Sequence, residues 1–134
     1  MDLDALYEEA LKAAQFAYAP YSHFRVGAAL LAADGSVHRG CNVENRSYGL
    51  AICAERSALV SAVSRGQRSF TALAIATPDS ADPVGPCGAC RQVLSEFMES
   101  GAAVRFGGSG PERLTVTMGD LLPYDSLHNL ADAR

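Results

Sequence analysis

Residues 53–76 read CAERSALVSAVSRGQRSFTALAIA, and their hydrophobic pattern predicts a helix followed by a strand. From residue 53 to residue 65 the apolar positions recur every three or four residues, as on the buried face of an amphipathic helix. Gly66 suits the position just after the end of that helix. Residues 70–76 are almost all apolar, which is typical of a strand buried on both faces. A helix that leads into such a strand indicates an α/β protein.

The segments on the N-terminal side predict one more helix and a β-hairpin. Apolar residues at helical spacing predict an amphipathic helix over residues 4–18, with Asp4 as its N-cap, and Pro20 stops it. Two apolar segments, 26–33 and 37–43, flank the dipeptide Asp34-Gly35, which is a common turn sequence in hairpins. The hairpin adds two strands to the buried strand described above.

The C-terminal part predicts a second helix, two strands and a last helical turn. The helix begins near Cys87, carries Val93, Leu94, Phe97 and Met98 on one side, and ends at Gly101. Strands are predicted at residues 102–106 and 114–118, and a helical turn at 119–122. The complete order is αββαβαβ(β)α. It predicts an α/β fold, a three-layer α/β/α sandwich with a mixed five-stranded sheet, in a single domain over residues 1–134.

Composition and charge narrow the class of protein further. The chain has 134 residues, 49% of them hydrophobic and 19% charged, so we expect a folded domain rather than a disordered chain. It lacks an uncharged apolar stretch of about 20 residues, the length that a membrane span needs. Its acidic start has no basic and apolar signal region, so we expect a cytoplasmic protein. The net charge of −4 argues against a nucleic-acid polymer as partner and permits a small ligand.

Two cysteine clusters stand at the predicted helix starts, Cys53-Ala54-Glu55 and Cys87-Gly88-Ala89-Cys90. Cys87 and Cys90 are three residues apart and share a face of the first helical turn. A helix N-terminus favours the thiolate form of cysteine, which is the form that binds Zn²⁺. Three protein ligands and a water are typical of catalytic zinc, and four protein ligands of structural zinc. Because the acidic residue Glu55 accompanies the cluster, we favour a catalytic site with three cysteine ligands.

The motifs alone leave other interpretations of these residues open. A Cys-x-x-Cys at a helix start also suits a redox pair, although that interpretation leaves Cys53 and Glu55 without a role. Cys41 would close a structural site if it were a fourth ligand, but a lone cysteine is more often a small buried residue. The histidines have no ligand spacing and are expected at the surface or in loops; they are His23, His38 and His128.

The Cys-Ala-Glu at residues 53–55 and the Pro-Cys-x-x-Cys at residues 86–90 match the three-cysteine signature of zinc deaminases. The chain resembles in particular the small homotetrameric cytidine deaminases, which act on free nucleosides. The resemblance extends over residues 6–123. The segments that carry it are YAPYSHFRVGAALL (18–31), RGCNVEN (39–45), Tyr48, ICAERSAL (52–59), GPCGACRQVL (85–94) and LLP (121–123).

This resemblance implies a reaction and a role for each matching residue. The implied reaction is the hydrolytic deamination of free cytidine and deoxycytidine in pyrimidine salvage, with one zinc ion per subunit of a homotetramer. The implied zinc ligands are Cys53, Cys87 and Cys90, and the implied general acid and base is Glu55. The other implied roles are ribose contacts for Asn42 and Glu44, an apolar wall for Phe24, an N–H donor to the pyrimidine carbonyl for Ala54, a hydrogen bond to a zinc thiolate for Arg56, and a subunit contact near the site for Tyr48.

The chain departs from the family pattern at two positions. Arg46 stands where the family usually has a small residue near a subunit contact, and Ser126 stands where a phenylalanine usually reaches over a neighbouring active site. Two alternatives are open: Tyr124 or Leu127 replaces that phenylalanine, or the cover over the neighbouring active site is weaker. The alternative functions are deamination of another aminopyrimidine or aminopurine compound, editing of a polynucleotide, and a non-enzymatic zinc module closed by Cys41.

Overall fold

The computed structural model describes residues 1–125, which contain four α-helices, one 3₁₀ helix and five strands. The order of these elements confirms the predicted succession. No helix in this part of the chain is long and apolar enough to cross a membrane. The helices are α1 (Leu3–Ala14), α2 (Ala54–Ser64), α3 (Gly88–Ser95), α4 (Met118–Leu121) and the 3₁₀ helix Tyr48–Leu50. The strands are β1 (Gly27–Ala32), β2 (Val37–Cys41), β3 (Phe70–Thr77), β4 (Met98–Gly108) and β5 (Arg113–Thr117).

The five strands form one mixed sheet in the order β2-β1-β3-β4-β5. Strand β1 pairs antiparallel with β2 and β3, and β4 pairs antiparallel with β5, whereas β3 and β4 are parallel and are joined through α3. The predicted hairpin is confirmed. Gly35 in its turn has a φ of +90°, which glycine adopts without the steric cost that a Cβ would bring.

Helices cover both faces of the sheet, so the predicted three-layer α/β/α sandwich is confirmed. On one face, α1 packs against small side chains such as Ala29 and Ala74. On the other face, α2, α3 and α4 pack against larger side chains such as Leu30 and Leu73. Successive residues of a strand point to opposite faces, so β3 presents Ala72, Ala74 and Ala76 to α1 and Leu73 and Ile75 to the other helices. The arrangement places α2 and α3 in contact on the same face of the sheet.

Two glycines allow the helices to lie close to the sheet. A Cβ at Gly27 would lie 1.9 Å from the carbonyl oxygen of Ala10 in α1. A Cβ at Gly40 would lie 2.3 Å from the backbone nitrogen of Ala58 in α2. Both contacts are with helix backbone, which can give way only if the whole helix moves. Gly40 therefore sets how close α2 lies to the sheet.

The bounds of α1 differ from the prediction at both ends. The N-cap is Asp2 rather than Asp4, because the Asp2 carboxylate accepts a hydrogen bond from a backbone N–H of the first turn. The helix ends at Ala14 instead of continuing to residue 18. Tyr18 leaves the helix because its backbone N–H donates to the carbonyl of Asn42, just after β2.

The end of α3 also differs from the prediction. The helix ends at Ser95, so Phe97 and Met98 are not on its apolar side. The carbonyl of Phe97 accepts a hydrogen bond from the N–H of Phe70, and Met98 begins β4 opposite the same residue. Gly101, which was predicted to end the helix, lies inside β4. Pairing with a distant strand overrides the helical spacing of these side chains.

The predicted surface or loop position is wrong for His38. This residue lies in β2 and is buried, and its Nε2 is 2.9 Å from the hydroxyl oxygen of Ser36. His23 is exposed, as expected, and His128 lies outside the described residues.

Candidate active site

Three cysteine side chains meet where α2 and α3 begin. Cys53 is the N-cap of α2, Cys87 is the N-cap of α3, and Cys90 lies in the first turn of α3. The three Sγ atoms lie within 4.8 Å of one another, and those of Cys53 and Cys87 are 3.8 Å apart. The contact between α2 and α3 thus brings together the three residues that the motifs predicted as metal ligands.

The spacing and the chemistry of these sulfur atoms both suit zinc. Thiolates that bind Zn²⁺ at about 2.3 Å in a tetrahedron lie about 3.8 Å from each other. The Sγ atoms of Cys53 and Cys87 have this separation, which is much longer than the ~2 Å of a disulfide bond. All four cysteines are free, and within the described residues Cys41 does not belong to the cluster. The site therefore offers three thiols and leaves a fourth position open, which disfavours the structural module closed by Cys41.

Neighbouring groups offset the negative charge that the thiols would carry. Nη2 of Arg56 donates a hydrogen bond of 3.3 Å to Sγ of Cys53. Burial acts to raise the pKa of the Cys87 thiol, but hydrogen bonds, first among them one from the backbone N–H of Cys90, lower it below its ordinary value. Burial raises the pKa of Cys90, whose side chain is fully enclosed. Arg56 thus stabilises negative charge on the sulfur of Cys53, and the start of α3 favours ionisation of Cys87.

The carboxyl group of Glu55 is buried beside the cysteines. Glu55 is the second residue of α2 and is only 5% exposed. Because Cys53 is the N-cap, the turn into the helix brings this carboxyl group close enough to interact with Cys90. Burial raises the pKa of Glu55 above its ordinary value. A carboxyl group with a raised pKa inside a cavity is suited to accept a proton and return it near neutral pH.

The cysteine cluster borders a cavity of about 280 Å³, a size at the lower end for small-molecule sites. The start of α2 contributes Ala54 and Glu55 to its lining. The N–H of Ala54 is the first of the helix and has no acceptor within it, so it is available to a ligand. Phe24 is half-buried and lies two residues before Val26, which lines the cavity, but Phe24 itself does not line it. The full lining is Val26, Asn42, Glu44, Ala51, Ile52, Cys53, Ala54, Glu55, Ile75, Thr77, Val84, Gly85 and Cys87.

Asn42 and Glu44 line the cavity with part of their hydrogen-bonding capacity already used. Asn42 accepts a hydrogen bond of 2.9 Å from the N–H of Val26 and donates one of 2.8 Å to the carbonyl of Phe24. Glu44 accepts hydrogen bonds from two backbone N–H groups and from the hydroxyl of Ser22. The hydroxyl of Ser22 is the main reason that the pKa of Glu44 is lowered. One amide hydrogen of Asn42 and part of an ionised carboxylate are left for a polar ligand.

Sequence reasoning missed several residues that line the cavity. Thr77 is buried and ends β3, next to the parallel strand β4. The carboxyl ends of parallel strands are where ligands usually bind, so its position at the end of an apolar run was an available signal. Val84 and Gly85 directly precede the Pro-Cys motif, and this adjacency was the only signal for them.

The residues predicted at a subunit contact or over a neighbouring site do not line the cavity, as far as the structure describes them. The side chain of Tyr48 is 77% exposed, and its ring lies edge-on to that of Tyr21, with centroids 6.0 Å apart. Tyr124 is fully exposed. Ser126, which stands at the position of the family's phenylalanine, and Leu127, its other possible replacement, are outside the described residues.

An open three-thiol metal site with a buried carboxyl group, set in an α/β/α sandwich, defines a metal-dependent enzyme of the α/β class. Residues 1–104 match the family model of the cytidine and deoxycytidylate deaminase zinc-binding region. The chain belongs to this zinc-dependent deaminase family, as its motifs predicted.

Similar proteins agree with this assignment. The cytidine deaminase of Halalkalibacterium halodurans is 50% identical over 123 residues, which cover 92% of each chain. The cytidine deaminase of Sporosarcina psychrophila is 51% identical over 121 residues, or 90% of this chain and 82% of the relative. The crystal structure of cytidine deaminase from Burkholderia pseudomallei superimposes with a TM-score of 0.88 at 48% identity, covering 92% of this chain and 98% of that chain.

Proposed function

We propose that this chain is a zinc-dependent cytidine deaminase that hydrolyses free cytidine and deoxycytidine to uridine and deoxyuridine, with release of ammonia. One observation carries the proposal. Three sulfur atoms lie within 4.8 Å of one another, and the buried carboxyl group of Glu55 lines the same cavity as Cys53 and Cys87. The choice of substrate is supported by the two relatives named above, which are cytidine deaminases and match this chain over most of their length.

Cys53, Cys87 and Cys90 would hold the zinc ion. A zinc ion with an open fourth position is a Lewis acid that makes water acidic enough to react as a nucleophile near neutral pH. Three thiolates carry more negative charge than the ion neutralises, which weakens this effect. Arg56 counteracts the excess, because its hydrogen bond to Sγ of Cys53 withdraws charge from that ligand.

Glu55 would move the protons of the reaction. Its carboxylate takes a proton from the attacking water and delivers it to N3 of the cytosine ring as the oxygen adds to C4. It then carries the second proton of that water to the amino group, which leaves C4 as ammonia. Water and cytidine are consumed, uridine and ammonia are formed, and Glu55 returns to its starting state. The burial of Glu55 supports this role, since it brings the pKa closer to neutral pH.

The remaining residues around the cavity would bind the nucleoside. The backbone N–H of Ala54, the first of α2, would donate to the carbonyl oxygen of the pyrimidine, and its position in the cavity lining supports this role. Asn42 and Glu44 retain one donor and an acceptor for a sugar hydroxyl. A base without its sugar would leave these groups unpaired and is expected to react poorly. Phe24 is proposed as the apolar wall on the family resemblance; it does not line the cavity, but its backbone carbonyl accepts a hydrogen bond from Asn42, which does.

We further propose that the enzyme works as a homotetramer in the cytoplasm and serves pyrimidine salvage, with Tyr48 and Arg46 near a contact between subunits. Large apolar side chains left exposed together are typical of protein interfaces. Four free cysteines, three of them needed as thiolates, suit a reducing compartment. The exposed apolar residues that support the interface are Phe16, Tyr18, Tyr21, Val43, Tyr48, Leu50 and Ile52. Sedimentation at several concentrations measures the subunit number, and a monomer throughout would contradict this part of the proposal.

The loss of cytidine absorbance on conversion to uridine tests the activity, with and without a zinc chelator. We expect Glu55→Gln to keep stoichiometric zinc and to lose at least about 100-fold in kcat, which is the usual contribution of a general acid and base. The exposed Glu99→Gln is the matched control and should keep full activity. Near-normal turnover in Glu55→Gln would remove Glu55 from its role. Turnover of a sugar-free aminopyrimidine in place of cytidine would contradict the proposed substrate.

A further inference from the structure

An arginine and an aspartate join two loops beside the cavity. Nε of Arg25 donates to Oδ2 of Asp79 over 2.9 Å, and Nη2 donates to Oδ1 over 2.7 Å. The backbone N–H of Arg25 also donates to Oδ2 of Asp79, over 2.9 Å. One carboxylate therefore holds both the backbone and the side chain of a residue that is 54 positions away. A two-pronged contact of this kind fixes orientation better than a single charge contact does.

Asp79 lies in a loop that is itself anchored to the sheet. The N–H of Ser80 donates to the carbonyl of Thr77, the last residue of β3, over 3.0 Å. The carbonyl of Ser80 accepts hydrogen bonds from the N–H and the hydroxyl of Ser109, which follows β4. This loop continues to Val84 and Gly85 in the cavity lining. Asp79 is thus a fixed point near the end of the sheet where the cavity lies.

Arg25 belongs to the segment of residues 19–26, which contains no helix or strand and which we name the 19–26 loop. His23 in this loop has a φ of 58°, an unfavourable conformation for a residue with a side chain, so the loop depends on contacts to keep its shape. The residues on either side of Arg25 are Phe24 and Val26, and both hydrogen-bond to the side chain of Asn42. A shift of the backbone at Arg25 would therefore move Phe24, the proposed apolar wall, and would disturb the hydrogen bonds that hold Asn42, the proposed sugar contact.

We infer that Arg25 and Asp79 are positioning residues that hold the 19–26 loop in the arrangement needed to bind the nucleoside, and that they act on substrate affinity rather than on the chemical step. This inference rests on the proposed function. Neither side chain lines the cavity, and neither belongs to the cysteine cluster. The bond-breaking groups at the start of α2 and α3 are held separately, by the contact between those helices.

Kinetics of the Arg25→Ala, Asp79→Ala and double variants test the inference. We expect KM for cytidine to rise about three- to fivefold in each single variant, with kcat within about twofold of the wild type and zinc content unchanged. The double variant should be no worse than Asp79→Ala alone, because Asp79→Ala already removes both the backbone and the side-chain contacts with Arg25, whereas Arg25→Ala removes only the side-chain contacts. Arg25→Lys should recover only part of the affinity, since lysine cannot make the two-pronged contact.

Arg39→Ala is the matched control. Arg39 has an exposure similar to that of Arg25 and forms an ion pair of 3.6 Å with Glu9, on the face covered by α1. It should leave KM unchanged. Additive effects of the Arg25 and Asp79 variants, an unchanged KM in both, or a fall in kcat that follows loss of zinc would each overturn the inference.

Amide hydrogen exchange provides a second measurement that does not depend on turnover. Amide exchange over residues 20–26 should be faster in Asp79→Ala than in the wild type. Exchange over α2 and α3 should be the same in both proteins. Equal exchange rates over residues 20–26 would overturn the inference. A wild-type protein with no activity on cytidine would instead contradict the proposed function. In that case the exchange data alone would decide whether the pair holds the loop.

Discussion

Replacing Gly40 by alanine should displace helix α2, whose first turn carries Glu55. Gly40 lies in β2, directly beneath α2. A Cβ there would lie 2.3 Å from the nitrogen of Ala58, 2.8 Å from its Cα and 2.7 Å from the carbonyl oxygen of Ala54. All three atoms belong to the backbone of one helix, so no side-chain rotation can relieve the contact.

The size of the effect follows from these distances. Ordinary contact begins at 3.4 Å, so the gap of 3.4 − 2.3 = 1.1 Å must be made up by movement of α2 away from β2. Overpacking of this kind costs about 3 kcal/mol of unfolding free energy, at the upper end of the usual range because backbone must move. For a chain of this length that cost corresponds to a fall in Tm of about 10 °C. A displacement of about 1 Å at a reacting group can also lower the rate about 100-fold, and Glu55 moves with the helix.

Thermal melting followed by circular dichroism, zinc content and kcat/KM together check this prediction for Gly40→Ala. The control is Gly101→Ala in β4, where an added Cβ would meet nothing within 4 Å. The control should change stability by no more than about 0.5 kcal/mol. A Gly40→Ala protein that melts within about 2 °C of the wild type and keeps kcat/KM within twofold would refute the argument from close packing.

Three further predictions concern the metal, the core and the response to acid. Cys41→Ser should keep stoichiometric zinc by elemental analysis and Cys87→Ser should lose it, whereas loss in both would restore the four-thiol structural site. Tyr7→Phe removes a buried hydrogen bond of 3.1 Å to the carbonyl of Gly107, so Tm should fall by about 3–5 °C with kcat/KM unchanged. The pKa of Asp79 is lowered to about 2 by its hydrogen bonds to Arg25, so its stabilising effect is complete above its unfolded pKa of about 4 and is lost as the pH falls towards 2. The difference in urea midpoint between wild type and Asp79→Asn should accordingly be constant from pH 5 to 7 and close towards pH 2, and a difference that persists in acid would contradict this origin.

The success of prediction from sequence varied with the range of the interactions that decide each element. The hairpin around Asp34-Gly35 was predicted because its turn depends on local backbone preference, and Gly35 has the positive φ that this turn requires. The buried strand was predicted to within one residue of β3, Phe70–Thr77. The end of α3 was not, since the spacing of Phe97 and Met98 is helical and only their pairing with β3 makes them part of a strand.

The candidate site shows the same division. The positions of the cysteines at helix starts are local features and indicated a metal or redox site, and the resemblance to zinc deaminases supplied the predicted ligands and the predicted role of Glu55. Their assembly into one site was a matter of packing, since Cys53 and Cys87 are 34 residues apart and meet only where α2 and α3 touch. The cavity residue Thr77 and the pair Arg25–Asp79 carry no local pattern, and sequence reasoning missed them.

The sequence by itself determined the order of the elements, the layered α/β class, the three cysteines that form the cluster and the family. Local preferences and periodicity encode the elements, and the family was recognised from short motifs that it shares with this chain. Only the tertiary structure decided that Cys41 stays outside the cluster, that Glu55 is buried beside Cys90, and that Asn42 and Glu44 are already partly engaged. These features depend on distances between residues far apart in the chain, which close packing of helices on the sheet sets and which no local pattern records.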